Sequence, residues 1–349
     1  MIALPEIKQA EMFDFLTRLL NTPSPTGFTD QAIALCEEVL SALPGIRLAR
    51  TNKGALVGTL PGESDGPWRG LTAHVDTLGA MVKEIKPNGR LKLSKLGGYA
   101  WNTVEGEGVT VFTRSGDTVR GSLLVTKASA HVHGGDVGKT ERSDDVMEVR
   151  LDARTTKADD TQNLGIGIGD FVAFDPRVEL TDGFIRSRHL DDKACVACML
   201  YAAKAITDAG LQPKATTVLH VSNYEEVGHG AAAGIPSEVS ELISVDMAAV
   251  GDGQASDEFH ATLCVKDSGG PYHHGLSQRL LTLAEKFEIP HKIDIYPYYG
   301  SDGEAFWRAG GDVALALIGP GVDASHNYER THTEALVATA RWCLAYLLS

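Results

Sequence analysis

Two adjacent carboxylates, Glu225 and Glu226, follow an apolar run over residues 217–223. The run has the length and composition of a buried strand, so both acids are expected at its carboxyl end, where open α/β sheets form ligand sites. Like charges this close are unfavourable unless a cation or a proton separates their roles. The simplest division is that one acid binds a metal and the other moves protons. An isolated Glu-Glu pair would more commonly be a solvated acidic loop, but other candidate ligands follow the same placement.

Four further sites along the chain combine metal-ligand chemistry with the end of a predicted element. Side chains two residues apart point to the same side of an extended chain, so His74 can bind a metal while Asp76 orients its ring. Asp191 precedes a predicted helix and either bridges two cations through its two oxygens or caps the helix. Asp246 ends another predicted strand, and His332 opens the last predicted helix.

The candidate metal donors are therefore His74, Asp191, Glu226, Asp246 and His332. Two imidazoles and three carboxylates suit a pair of divalent ions, with zinc or cobalt favoured and manganese as the alternative. If Asp191 is shared, each ion receives one imidazole, one terminal carboxylate and the bridge, which leaves positions open for water. Glu225 remains as the general base that takes a proton from metal-bound water. The sequence thus predicts a hydrolase with a dinuclear metal centre.

Alternating helices and strands must position these residues. Apolar spacing predicts helices over 10–21, 29–43, 193–209, 276–288 and 333–348, and strands over 54–60, 70–75, 217–223, 242–246 and 313–318. This order indicates a layered α/β domain with a largely parallel or mixed sheet. The stretch 83–183 is instead rich in valine, threonine and turn signals, which predicts a small β-barrel insert. The predicted domains are 1–82 with 184–349, and the insert 83–183.

Composition limits the class of protein. The 349 residues carry a formal net charge of -14, which disfavours nucleic acid and anionic membranes as partners. Five scattered cysteines fit a reducing compartment, and Cys195 and Cys198 lie in a predicted buried helix, which favours core packing over a metal or redox pair. The chain shows no secretory leader and no apolar run long enough to span a membrane. A cytoplasmic enzyme is expected.

The motifs, in this order, resemble metallopeptidase family forty-two, the glutamyl, tetrahedral and deblocking aminopeptidases. The resemblance is carried by Ala73-His74-Val75-Asp76, Leu190-Asp191-Asp192-Lys193, Glu225-Glu226-Val227-Gly228, Val245-Asp246, His332, Gly300-Ser301-Asp302-Gly303 and the Gly-Ile-Gly segment before Asp170. It covers nearly the whole chain. The pattern is also similar to a bacterial subfamily associated with making a small acylated dipeptide osmolyte.

The resemblance implies a three-layer α/β/α metallopeptidase domain with an inserted β domain, PDZ-like, that serves subunit assembly. It implies two metal ions per subunit and a large homo-oligomer, often a tetrahedral dodecamer. It assigns Asp191 as the bridge, Glu225 as the base and Asp76 as the orienting acid. The terminal ligands of the two ions would be His74 with Asp246, and Glu226 with His332.

The chain departs from the family pattern at several positions. The context of the last metal histidine differs, so His326 is a rival to His332, which we prefer because it opens a helix as the family's histidine does. Lys193 replaces the usual arginine after the double aspartate. His273 and His274 either line the substrate pocket or lie on the surface.

The function predicted from these features is a metal-dependent aminopeptidase that hydrolyses short peptides. The alternative is an N-acyl-amino-acid or acyl-dipeptide amidohydrolase that uses the same metals. A further alternative, from another class, is a noncatalytic metal-stabilised assembly protein. An intact Glu225 beside a complete ligand set argues against the last, because a protein that has lost catalysis is expected to lose such a residue.

Overall fold

The structure is a computed structural model that describes residues 3–349, and it divides into two compact units. One unit contains the chain up to Asp76 together with Arg177–Ser349, and the other is Thr77–Pro176. Both breaks fall earlier than the boundaries expected at residues 83 and 183. The first strand of the insert already begins at Gly79, which accounts for the earlier first break.

The strands are β1 (Arg47–Arg50), β2 (Leu56–Leu60), β3 (Ser64–His74), β4 (Gly79–Ile85), β5 (Leu91–Leu96), β6 (Gly108–Phe112), β7 (Thr118–Val125), β8 (Met147–Leu151), β9 (Phe171–Phe174), β10 (Glu179–Thr181), β11 (Phe184–Ser187), β12 (Ala215–Ser222), β13 (Val239–Val245), β14 (Ala248–Val250), β15 (Ala261–Lys266), β16 (His291–Ile295), β17 (Ala314–Asp323) and β18 (Glu329–His332). The α-helices are α1 (Gln9–Leu20), α2 (Asp30–Ser41), α3 (Ala130–His133), α4 (Asp136–Lys139), α5 (Ala158–Gln162), α6 (Leu190–Asp208), α7 (His274–Lys286), α8 (Asp302–Arg308) and α9 (Thr333–Leu347). Short 3₁₀ helices cover Trp101–Thr103, Glu225–Val227 and Gly230–Ala232.

The first unit is built on a mixed sheet of twelve strands. Its main path runs β1-β2-β12-β3-β13-β17-β18-β11-β10. Off this path, β14 and β15 pair with β17, and β16 pairs with β15. The central strand β3 is parallel to β12 and β13, and β13 is parallel to β17. Parallel neighbours bring their carboxyl ends to one edge of the sheet, which is the edge that the predicted ligands require.

Helices cover both faces of this sheet. On one face α1, α2, α6, α7 and α9 pack into a common hydrophobic core with β3, β12, β13 and β17. Almost every side chain of α6 is buried, including the free thiols of Cys195 and Cys198, as the core-packing interpretation predicted. The other face is covered more thinly, by α8 and the 3₁₀ helix Gly230–Ala232. The predicted three-layer α/β/α arrangement is therefore confirmed.

The second unit is a closed barrel in which the strands follow the order β4-β5-β8-β7-β6-β9. Neighbouring strands are antiparallel, and side chains alternate between the interior and the solvent. On β6, Val109 and Val111 are fully buried whereas Thr110 between them is partly exposed. Closure leaves no open sheet edge in the barrel. The predicted β-barrel insert is confirmed.

Across residues 3–349, no helix combines the length and apolarity that crossing a membrane demands.

Candidate metal centre

The register of the central strands explains why the predicted ligands meet. Ser222, the last residue of β12, pairs with His74, the last residue of β3. On the other side of β3, Ser244 of β13 pairs with Thr72, so Asp246 follows its strand at the level of His74. Three chain segments separated in sequence therefore bring His74, Asp246 and the turn with the two glutamates to the same edge of the sheet.

The cluster centres on Asp191, which is 7% exposed at the start of α6. One oxygen, Oδ1, lies 3.2 Å from Nε2 of His74. Ligand atoms of His74, Asp191 and Asp246 all lie within 4.8 Å of one another. A buried group of one imidazole and two carboxylates at this spacing has the donor chemistry of a divalent cation site.

A second imidazole lies on the opposite side of Asp191, and it belongs to His326. Its Nε2 is 3.4 Å from Oδ2 of Asp191 and 3.6 Å from Oε2 of Glu226. Asp191 thus presents one oxygen to each imidazole, which is the arrangement that a carboxylate shared between two ions requires. His326, and not the histidine that the sequence favoured, is therefore the imidazole that lies beside Asp191 and Glu226.

His332 does not belong to this cluster, so the structure does not support its predicted role as a ligand. Its ring packs edge-on against Phe184 and beside Phe259, with centroid separations of 4.9 Å and 5.2 Å. Its Nδ1 accepts a hydrogen bond from the N–H of Glu334 and caps α9. His332 does open the last helix, as the sequence predicts, but its side chain there serves as the helix cap.

Glu225 faces His74 from the 3₁₀ turn after β12. Its Oε2 lies 3.6 Å from Nε2 of His74, and its side chain is 18% exposed, so a substrate can reach it. Burial, together with Asp246 and Asp302, raises the pKa of Glu225 well above its usual value, although His74 opposes the shift. A carboxyl group with a raised pKa beside a ligand cluster is suited to accepting and returning a proton.

Asp76 supports both sides of the site. Its backbone oxygen lies 3.0 Å from Nδ1 of His74, and its Oδ1 lies 3.6 Å from the same nitrogen. Its carboxylate also accepts hydrogen bonds from the N–H groups of Glu225 at 3.2 Å and Glu226 at 3.4 Å, and from the hydroxyl of Thr26 at 2.7 Å. Asp76 therefore orients the imidazole through its backbone oxygen, and its fully buried carboxylate fixes the turn that carries the two glutamates.

Asp192 follows Asp191 and is fully buried. The peptide bond between Asp191 and Asp192 is cis. Oδ2 of Asp192 accepts a hydrogen bond from the N–H of His74 at 3.1 Å, which ties the end of β3 to the start of α6. His273, by contrast, accepts a hydrogen bond from the N–H of Leu276 and caps α7.

The electrostatics of the cluster fit divalent cations. Burial, with help from Asp191, raises the pKa of Glu226 to about 8 and that of Asp246 to about 7. Burial would also raise the pKa of Asp191, but hydrogen bonds from His326 and His74 outweigh it and hold that pKa below its usual value. Crowded carboxylates of this kind require protons or cations to balance their charge.

Sequence reasoning missed several residues that support this centre. Glu329 is fully buried and accepts hydrogen bonds from the N–H groups of Asp191 and His326. Asp302 accepts hydrogen bonds from the N–H of Ala231 and the hydroxyl of Thr72. The motif Gly300–Gly303 contains Asp302 but does not indicate its role, and the only sequence signal of Glu329 is its place between the two rival histidines.

Solved structures share this fold. An aminopeptidase, APDkam598, from the archaeon Desulfurococcus kamchatkensis superposes with a TM-score of 0.87 at 21% identity, over 97% of this chain and 95% of that chain. The TET1 peptidase of Pyrococcus horikoshii, described as able to assemble into a tetrahedron or a large octahedral shell, superposes with a TM-score of 0.83 at 20% identity, over 97% and 99% of the two chains. The α/β unit with an inserted barrel is thus the fold of these peptidases.

Sequence similarity identifies the family to which the chain belongs. A Bacillus subtilis (strain 168) protein named "Putative aminopeptidase YhfE" is 49% identical over 337 residues, which cover 96% of this chain and 97% of that protein. Residues 54–342 match the family described as M42 glutamyl aminopeptidase, and the chain belongs to this family. The predicted family and enzyme class, an aminopeptidase, are confirmed. Family membership and the buried His/Asp/Asp group together point to the use of divalent metal.

Proposed function

We propose that this protein is an aminopeptidase that uses two divalent metal ions to hydrolyse short peptides. The observation that carries the proposal is the position of Asp191, with one carboxylate oxygen toward His74 and the other toward His326. Glu226 and Asp246 stand beside these imidazoles on the two sides. The donor set is symmetrical about a single carboxylate, as a pair of ions sharing one ligand requires.

Each ion would have its own terminal ligands. One would be held by His74 and Asp246 and the other by Glu226 and His326, with Asp191 common to both. The mixture of imidazole and carboxylate donors suits zinc or cobalt, with manganese as the alternative. When bound, such ions activate water and polarise the carbonyl of the scissile bond.

Glu225 is the proposed general base. Its carboxylate stands at the cluster, its side chain is partly exposed, and its N–H is fixed by Asp76. In this role Glu225 takes a proton from the attacking water and returns it to the leaving amine. Asp76 acts through its neighbours, because it orients His74 and holds the backbone of the turn.

Glu225→Gln tests the assignment because it keeps the shape of the side chain and removes the basic oxygen. We expect the variant to bind metal as the unaltered protein does and to lose roughly 10²–10⁴-fold in kcat, the usual contribution of a general base. Glu63→Gln, which alters an exposed glutamate paired with Lys214, is the matched control and should leave kcat unchanged. Full activity in metal-loaded, folded Glu225→Gln would exclude this role.

The substrate class is tested with paired substrates. We expect hydrolysis of peptide anilides with a free amino terminus and little hydrolysis of the same peptides after N-acetylation. The opposite preference would favour the amidohydrolase alternative. If neither substrate is cleaved and a chelator dissociates the oligomer, the noncatalytic alternative is favoured.

The proposal extends to the oligomeric state of the chain. We propose that the chain forms a homo-oligomer, with the dodecamer as the first candidate, because the related TET1 peptidase assembles into closed shells. The barrel of residues 77–176 is proposed to serve this assembly. Sedimentation of the full chain, and of a variant without the barrel, tests both points.

The five free thiols fit a reducing cytoplasm, which we propose as the location.

A further inference from the structure

Glu329 is a buried carboxylate that the proposed reaction does not use. It is the first residue of β18 and has no exposed surface. Its two oxygens make separate hydrogen bonds: Oε2 accepts from the N–H of Asp191 at 3.0 Å, and Oε1 accepts from the N–H of His326 at 3.1 Å. One side chain therefore joins the residue in the middle of the cluster to the residue that supplies its second imidazole.

The two bonded residues lie on segments that are otherwise independent. Asp191 is the second residue of α6 and has non-helical backbone angles, so its N–H is outside the regular helical pattern. His326 lies in the turn after β17 with φ +62°, in the left-handed region that residues other than glycine seldom occupy. A fixed acceptor for each N–H selects these backbone conformations, and each conformation determines where the side chain points.

A carboxylate is the side chain that can make both bonds. It offers an acceptor oxygen to each N–H, whereas the amide of glutamine offers one oxygen and one NH₂ group. A glutamine at this position would direct a donor at one of the two backbone donors. A further buried carboxylate next to Asp191 is costly to ionise unless cations are close by, and a loaded metal centre would supply them.

We propose that Glu329 is a positioning residue of the metal centre, which presets Asp191 and His326 so that the second ion is bound by an already ordered ligand pair. This inference rests on the proposed function, because it assumes that the cluster holds two ions. Partners behind metal ligands commonly contribute 10–100-fold to metal affinity. Glu329 differs from the usual case because it acts on the backbone of two ligands and not on a ligand's ring nitrogen.

The test is a zinc titration of the full-length chain after removal of metal, in competition with a chromogenic chelator. In E329Q we expect about 10–100-fold weaker binding of at least one of two ions per chain. E329D keeps the charge but withdraws the oxygens by one methylene, so it should also bind more weakly. The control is E258Q, which removes a neighbouring carboxylate that pairs with Arg330 outside the cluster and should bind zinc normally.

The outcomes separate this inference from the two-metal proposal. If the unaltered chain binds fewer than two zinc ions, the two-metal proposal fails and this inference fails with it. If it binds two and E329Q binds them equally well, only the role of Glu329 is overturned. Normal affinity in E329D with weakened E329Q would show that charge, and not positioning, is what matters. If E329Q does not fold, E329D alone decides, since normal binding there overturns the proposal.

Unfolding of the metal-free proteins distinguishes positioning from general stabilisation. A purely structural role predicts a lower unfolding temperature for metal-free E329Q with zinc affinity unchanged in the molecules that remain folded. The positioning role predicts weaker zinc binding by fully folded molecules. Circular dichroism at the temperature of the titration establishes the folded fraction for each variant.

Discussion

The molecule buries carboxylates in two different ways. In the barrel, Glu148 is nearly inaccessible and lies between Lys86 Nζ at 2.8 Å and Arg90 Nη1 at 2.5 Å. At the strand ends of the α/β unit, Asp191 lies between two imidazoles, and further acids surround it. The barrel acid is neutralised by the chain itself. The strand-end acids are arranged for charge that arrives from outside, which is the mark of a binding site and not of a folding interaction.

This difference has an electrostatic consequence. Burial, with Asp191 next, raises the pKa of Glu226 to about 8 and the pKa of Asp246 to about 7. Near neutral pH the metal-free cluster therefore retains protons that metal ions would displace, and binding is coupled to proton release. Glu148, by contrast, has two cationic partners that belong to the same barrel.

The largest expected effect is that of metal removal. Ions that bind only the native state stabilise it by about 4 kcal/mol when present at 1,000 times their Kd. Chelation should therefore abolish peptidase activity and lower the free energy of unfolding of the α/β unit, while the barrel keeps its stability. Hydrogen exchange with and without chelator measures both units in one experiment. Equal loss of protection in β8 and in the segment around Asp191 would contradict the expectation that metal stabilises the α/β unit and not the barrel.

Acid should destabilise the α/β unit through His220, a buried imidazole outside the proposed ligand set. Burial lowers the pKa of His220 to about 4, and its Nδ1 lies 2.9 Å from the hydroxyl of Thr72. Between pH 6.5 and 4 the unfolded chain binds a proton that the folded chain does not. The associated stability, about 3 kcal/mol, is present above pH 6.5 and is lost as the pH falls toward 4.

His220→Asn is the matched variant for this prediction, because the amide can still bond to Thr72 and does not titrate. Its free energy of unfolding, measured in urea from pH 4 to 7, should change less with pH than that of the unaltered chain. The same slope in both proteins would assign the acid sensitivity to other groups.

Glu148→Gln tests the buried ion pairs of the barrel. Removing the charge leaves Lys86 and Arg90 without their buried partner, but both cations are partly exposed and can turn to water. We expect a loss of about 1–3 kcal/mol, less than for a fully enclosed ion pair. The urea midpoint measures this loss, and zinc affinity and kcat of the folded protein should not change. A drop in zinc affinity would show that the two regions are coupled.

Much of the site was readable from sequence because it follows one rule: polar residues at the carboxyl ends of buried strands converge. His74, Glu225, Glu226 and Asp246 obey the rule, and short apolar runs locate their strands. His326 obeys it too, but the apolar run that predicts its strand ends at residue 318. The strand β17 continues to Asp323 through Gly319 and Pro320, residues that normally indicate a strand end.

Glu329 could not be recognised from local sequence for a different reason. It stands in a polar segment, Tyr328-Glu329-Arg330-Thr331, which resembles an exposed loop or edge strand. Its burial arises from pairing with Ser187 of β11 and from hydrogen bonds to distant backbone groups. Contacts of this long range are set by the tertiary fold, and no local periodicity encodes them.

The smallest effect is expected for His332→Asn, and it decides between the two rival histidines. Asparagine is a good helix cap, so the variant should lose only the ring contacts with Phe184 and Phe259, worth below about 1 kcal/mol. Both zinc ions should remain bound with normal affinity. His326→Asn, the same substitution six residues earlier, should lose tight binding of one ion because the second imidazole is gone. Zinc loss in His332→Asn with normal binding in His326→Asn would restore the ligand that the sequence first suggested, and the bridge at Asp191 would then need a different second partner.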